Sequence, residues 1–326
     1  MREMTFVDAV REGLTEEMAA DPTIFVVGEG AGVRGGNFNT TLGLFDIHGP
    51  ERLVDVPISE RGFVGMCAGA AMTGTRPIVD FMFTDFILDS IGEMVNQAAK
   101  MQYMSSGRLK MPLVLRGCVG VGGSAATHHS GNYYPFFTHQ PGFRVVYPSN
   151  PAEAKGLFKT SIRSDDPVLF LEHRLLLGAR GPVPEDEDLT IPFGEARIVR
   201  EGDDITVVAL AVHVDRTAAI AEQLQGEGIS VELIDPRTLA PLDMDTILAS
   251  VARTGRLLIV DETYAPGSIG ADIAAAVADV AFDDLDAPIR RVNGLHTPIP
   301  YSPPLETAAV PQDGDIATAI RDLAAE

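Results

Sequence analysis

Leu53-Val54-Asp55-Val56-Pro57-Ile58-Ser59-Glu60-Arg61-Gly62-Phe63 joins two kinds of chain within eleven residues. An apolar strand pattern from Leu53 to Val56 stops at Pro57, which has no amide to give to a sheet ladder. A helix of small residues then runs from Glu60 to Thr75, with Ser59 placed to cap it. The same alternation extends both ways. Upstream are a helix to about Ala20, a strand at Ile24 to Val27 and a glycine-rich loop through Gly36. Downstream are a strand at Pro77 to Met82, a long helix from Asp85 to Met104, and strands at Leu113 to Arg116, Val145 to Tyr147 and Val168 to Leu171. Asn150, Pro151 and Glu153 form a capped helix start. Strands separated by helices predict an α/β fold whose mostly parallel sheet is covered on both faces.

A chain of 326 residues is long for one core. The proline-rich, acidic run Gly181 to Asp188 precedes a second alternation, with strands at Ile205 to Leu210, Val231 to Ile234, Leu257 to Val260 and Ile289 to Val292. Two domains are expected, residues 1–185 and 190–326, each a mostly parallel sheet flanked by helices.

The net charge of -21 repels phosphate backbones and anionic lipid, so nucleic acid and membrane are not expected partners. Cys67 and Cys118 are far apart and lack metal-type spacing. That usage fits reduced cytoplasm rather than a disulfide framework. The N-terminus reads as an amphipathic helix, not a signal peptide. The apolar run Ile205 to Val212 is too short to span a bilayer.

Gly30, Gly32 and Gly35 match the dinucleotide pattern after a strand, with Asp55 beyond. The next residues, Gly36-Asn37-Phe38, do not open an amphipathic helix that could hold a pyrophosphate. A flexible surface loop is the expectation there. Glu29 ends its strand, at the edge where parallel sheets collect ligands. Glu60 admits two readings: a carboxylate favoured by a helix N-terminus, or a partly desolvated acid beside Ile58, Phe63 and Phe86 that exchanges a proton with a ring nitrogen. The segment Arg116 to His129, continuing into SGNYYPFFTHQPG, brings glycines near His128, His129 and His139. It is either a catalytic loop or a mobile one, and adjacent histidines on an extended chain make a poor metal pair. Arg237 to Asp243, Asp261-Glu262 and His296 to Pro300 read as structural punctuation and subunit contact.

Taken in order, VVGEG, PISERGFVGMCAGAAMTGTRPIVDFMF, NQAAKMQYM, THHSG, NPAEAKGL, DDPVLFLEHRLL, IPFGEA, RTLAPLD, RTGRLLIVDE and HTPIP resemble the β subunit of the thiamine diphosphate-dependent component of 2-oxoacid dehydrogenase complexes, the pyruvate, branched-chain and acetoin dehydrogenase β subunits. The resemblance runs nearly end to end. It implies a transketolase-type pyrimidine-binding domain, a transketolase C-terminal domain, and an α2β2 heterotetramer with an α subunit and a β-β contact. A lipoyl acyltransferase would receive the product. The α subunit would hold the diphosphate and Mg2+. In agreement, this chain has no G-D-G followed at the usual spacing by Asn.

Residue by residue, the resemblance makes Glu60 the acid that bonds the cofactor pyrimidine. Glu29, Ile58 and Phe86 line the pyrimidine pocket, with Asp89 nearby, and His129 acts on the substrate. Leu113, Ser161, Ile162, Ser164 and Asp166 match positions that bind K+ through backbone oxygens. Gly30 stands where the family has a second acid, His128 where it has Gln, and Ala211 to Asp215 lacks a usual glycine or serine. The first two departures leave the substrate open, and the third bears on contacts with other components. Competing expectations are the C-terminal half of a split transketolase and a non-catalytic scaffold subunit.

Overall fold

The computed structural model describes residues 1–185 and 188–326, so Asp186 and Glu187 of the expected linker lie outside the described residues. In chain order the elements are β1 (Arg2–Thr5), α1 (Phe6–Ala20), β2 (Ile24–Gly28), α2 (Leu44–His48), β3 (Leu53–Asp55), α3 (Glu60–Met72), β4 (Arg76–Phe83), α4 (Met101–Met104), β5 (Val114–Val119), α5 (Tyr134–Thr138), β6 (Arg144–Val146), α6 (Pro151–Arg163), β7 (Val168–His173) and β8 (Arg180–Val183). Next come β9 (Arg197–Arg200), β10 (Ile205–Ala209), α7 (Val212–Gln225), β11 (Val231–Asp235), β12 (Thr238–Ala240), α8 (Met244–Thr254), β13 (Leu257–Tyr264), α9 (Ile269–Val280), β14 (Arg290–Gly294), α10 (Pro303–Ala308) and α11 (Asp313–Ala324).

Two compact units emerge, residues 1–119 with 136–193, and residues 120–135 with 194–326. This differs from the expected 1–185 and 190–326. The proline-rich run does not end the first unit, because Arg180–Val183, which overlaps its start, pairs antiparallel with β1, and Ile191 beyond it bonds to Gly156 and Thr160. The second difference is the histidine-bearing segment, which groups with the C-terminal unit.

In the first unit β6, β7, β5, β4, β2 and β3 lie side by side, all parallel. β7 is buried along its whole length, as a strand covered on both faces must be. α1 starts where the Thr5 hydroxyl accepts from the Asp8 amide, and α6 where Asn150 accepts from Glu153, with proline next. These two helices pack together through a polar seam. Lys155 donates to Glu12 and Glu16, and Lys159 to Glu16. Burial works to lower the Lys155 pKa, but the carboxylates of Glu12 and Glu16 outweigh it and hold the ammonium charged.

The helix expected from Asp85 to Met104 is broken. A 3₁₀ stretch covers Thr84–Ser90, a π turn Glu93–Ala98, and only Met101–Met104 is α-helical. At the break the Ser90 hydroxyl bonds to the Ile87 carbonyl at 3.0 Å, a side-chain bond that competes with the helical ladder. The re-phasing keeps Ile87, Ser90, Met94 and Ala98 all buried.

In the second unit β14, β13, β10, β11 and β9 lie side by side, parallel except for antiparallel β9. Ile205, Val207, Leu233, Leu258 and Val260 of the sheet pack with Leu224, Ile316 and Ile320 of the helices. Asp243 caps α8 and also accepts from the Ala196 amide, so the Arg237 to Asp243 stretch serves the structural role expected of it.

Candidate active site

β2 lies between β3 and β4, with Gly28 opposite Asp55 on one side and Asp80 on the other. The carboxyl ends of these strands therefore bring Glu29, the Val56–Glu60 turn and the segment carrying Phe86 to one edge of the sheet. Glu60 opens α3 on the same helical face as Phe63, Val64 and Cys67, which is why it is drawn inward. It is only 6% exposed. No hydrogen bond or ion pair to its carboxylate forms among the described residues. Ser59 occupies the cap position, but its side chain makes no cap bond, so the expected serine cap is not formed. The carboxylate thus stands beside helix amides that no side chain caps, open to a further partner.

Glu29 is half-buried, and burial, then the charge of Glu60, lifts its carboxyl above the ordinary range. Phe86 packs edge-on to Phe83, which in turn meets Phe38 and lies under the Arg174 guanidinium. Ile58 is 80% exposed, an apolar side chain open at the edge. Asp89 is exposed on the 3₁₀ stretch.

The glycine-rich loop is not the free surface loop expected. The Gly32 amide donates to Asp55 at 2.8 Å, Thr40 to Asp80 at 2.7 Å, and Thr41 to the Ala31 carbonyl at 2.7 Å. Two short polar side chains after the glycines carried this signal. Beneath lies a buried pair, Arg116 and Glu172, joined by two nitrogens. The thiols of Cys67 and Cys118 are pushed up to about 12, chiefly by burial, which leaves them inert.

His129 lies in the second unit, on a short 3₁₀ turn Thr127–His129, half-buried, while His128 is exposed. Ser124 and Ala126 before it both have left-handed backbone, with φ of 54° and 61°. Side chains of any size resist that conformation, so the surrounding contacts must hold it. Among the described residues no cluster of metal-binding side chains forms. Ala211, in the stretch to Asp215 that lacks the family's usual glycine or serine, also has a positive φ of 47°.

The backbone positions matched to K+ gather at the opposite, amino-terminal edge of the first sheet, where α6 ends and β5 and β7 begin. Leu113 oxygen accepts from Val168, Ser161 oxygen from Ser164, and Asp166 oxygen from the Ser164 hydroxyl. Ile162 and Ser164 oxygens both accept from Arg76 Nη1, at 3.1 and 2.9 Å. Each carbonyl has two lone pairs, and a helix C-terminus is negative, so this donor set fits a monovalent cation.

Residues 2–180 match the family described as "Transketolase, pyrimidine binding domain", and residues 194–316 "Transketolase, C-terminal domain". The chain is 45% identical over 330 residues to the acetoin:2,6-dichlorophenolindophenol oxidoreductase subunit beta of Cupriavidus necator, covering 98% of this chain and 97% of that one. It is 43% identical over 321 residues to the pyruvate dehydrogenase E1 component subunit beta of Rickettsia felis, covering 98% of each. A solved structure titled "Split gene transketolase, inactive beta4 tetramer" shares the fold with a TM-score of 0.79 and 21% identity, covering 98% of this chain and 97% of that chain. Among the described residues no helix is long and apolar enough to cross a membrane.

Proposed function

The chain belongs to the transketolase-domain family that includes the β subunits of pyruvate dehydrogenase E1 and of acetoin oxidoreductase, and from that premise we propose that it supplies one half of a thiamine diphosphate site for cleavage of a 2-oxo acid or acetoin. The observation that carries this reading is Glu60, a buried carboxylate with no partner among the described residues, at the ligand-binding edge of a parallel sheet. Bound there, thiamine diphosphate supplies the electron sink that makes cleavage next to a carbonyl possible. The chain's own part is to hold the pyrimidine. The Glu60 carboxyl exchanges a proton with a pyrimidine ring nitrogen, Phe86 offers a ring for stacking, and Ile58 an apolar wall. Glu29, raised in pKa, and Asp89 border the same pocket. His129 donates a proton to the substrate or steadies its developing charge.

Residues of this chain do not provide a field for a diphosphate, since its net charge is -21. We assign diphosphate and Mg2+ to an α subunit in an α2β2 assembly with a β-β contact, in the cytoplasm, with a lipoyl acyltransferase receiving the fragment. We assign K+ to Leu113, Ser161, Ile162, Ser164 and Asp166, remote from the chemistry.

The test is to co-express the chain with an α-type subunit, titrate thiamine diphosphate and Mg2+, and assay pyruvate, branched 2-oxo acids and acetoin with an artificial electron acceptor. Glu60→Gln is expected to lower kcat by about 100-fold or more. Equal turnover by wild type and Glu60→Gln would leave the scaffold reading standing instead.

A further inference from the structure

The segment Gly120–Pro135 carries His129, and several of its bonds run to buried acids of the C-terminal unit. The Val121 amide donates to Glu262 at 2.8 Å, and the Ser124 amide to Glu306 at 3.1 Å. The Thr127 hydroxyl donates to the Ile299 carbonyl at 2.9 Å. At the far end the Tyr134 hydroxyl donates to Asp261 and accepts from the Ile269 amide, while the Thr263 hydroxyl bonds to the Asn132 carbonyl. Val121 also seats its side chain against Ile299 and Ala309.

Neighbouring residues of β13 hold both ends of the segment at once, Glu262 at the start and Asp261 at the finish. α10 adds Glu306 between them. All three carboxylates are at most 8% exposed. Bonds from backbone amides to buried carboxylates are charge-assisted and fix their donors closely. They fall beside Ser124 and Ala126, whose left-handed backbone needs outside support.

We infer that Glu262, Glu306 and Asp261 are positioning residues that fix the backbone leading to His129. The inference rests on the reading that His129 acts on the substrate. In this role they need meet neither cofactor nor substrate. They set where the histidine stands by accepting from the chain on either side of it.

The experiment uses the assembled complex with thiamine diphosphate and Mg2+, and the variants Glu262→Ala, Glu262→Gln, Glu306→Ala, Glu306→Gln and His129→Ala. Two quantities are read: amide hydrogen exchange over residues 121–129, and kcat with the cofactor Kd. The alanine variants are expected to exchange about tenfold faster there, the change produced by losing about 1.4 kcal/mol of local stability. Their kcat should fall about tenfold, with cofactor Kd unchanged. Both should recover in part in the glutamine variants, whose amide oxygen still accepts but without the charge. If an alanine variant does not assemble, Glu306→Asp, which withdraws the oxygen by one carbon and keeps the charge, takes its place. Unchanged exchange would overturn the mooring. Faster exchange with unchanged kcat, while His129→Ala is impaired, would overturn the positioning role. Wild-type turnover by His129→Ala would instead sink the role of the histidine, and the positioning role with it, while the exchange result still decides the mooring.

Discussion

Glu29 and Glu60 end and follow adjacent parallel strands, close enough that the charge of Glu60 adds to burial in lifting the Glu29 carboxyl above its ordinary range. The relation predicts a change that needs no partner subunit and no turnover. In Glu60→Gln the repelling charge is gone, so Glu29 should titrate at lower pH than in wild type. Carbon-detected NMR of the Glu29 carboxyl reads this directly. Identical titration in the two proteins would mean that the acids do not share an edge.

A side chain at Gly32 would displace that of Asp55. A methyl group there would stand 2.5 Å from Asp55 Oδ2, while the Gly32 amide bonds to Asp55 Oδ1. Asp55 is exposed and can swing aside, so Gly32→Ala should destabilise the first unit by about 0.5–1.5 kcal/mol, the worth of the bond given up. In an Asp55→Ala background the clash is absent, so the same change should cost much less. Urea unfolding of the four proteins measures the coupling. Additive losses would show that the contact does not constrain the loop.

Much of this architecture is legible in the sequence, for physical reasons that differ by element. Strands such as Val168–His173 and Ile205–Ala209 are runs of apolar residues that only a covered parallel sheet accepts. Glu60 shares the helical spacing of Phe63, Val64 and Cys67, so its inward direction is written in the periodicity. The proton exchange proposed for it is not, because the segment alone fits a helix-terminus carboxylate equally well and only the ordered resemblance to a family favours the exchange. The break at Ser90 was hidden, because an i−3 hydroxyl bond leaves the apolar spacing intact. The grouping of Gly120–Pro135 with the second unit was hidden for another reason. It depends on Glu262 and Glu306, whose bonds to Val121 and Ser124 join residues remote in the chain. Asp261-Glu262 after four apolar residues was the available clue, since acids ending a buried strand need partners.

The carbonyl cluster at the end of α6 gives a metal-dependence test. If K+ binds there only in the folded state, it raises stability by mass action. Thermal unfolding in KCl should then exceed that in choline chloride at equal ionic strength by about 2–4 °C for each kcal/mol gained. Arg76 already donates to two of the oxygens, so the gain should be larger in Arg76→Ala, where the cation has no competitor. Coincident curves in both salts for both proteins would mean that no cation binds at these carbonyls.

Asp261 makes the C-terminal unit sensitive to mildly acidic pH. Burial pushes its carboxyl from 3.8 to about 6, against the opposing bonds from Tyr134 and the Thr263 amide, with the Glu262 charge adding to the rise. An acid whose pKa is raised on folding contributes stability fully present below the unfolded value. That contribution is lost as pH rises through the folded value. The window therefore runs from about pH 4 to above pH 6, and the loss across it is about 3 kcal/mol at most. Other carboxylates pull the opposite way, Asp243 among them, because its bonds to Thr246 and Ala196 outweigh burial and lower its pKa. The informative quantity is thus the difference between wild type and Asp261→Asn, whose amide oxygen still accepts from Tyr134. Urea unfolding at pH 5, 6 and 7 should show Asp261→Asn gaining on wild type at each step upward. Parallel pH profiles would mean that Asp261 is ionised throughout.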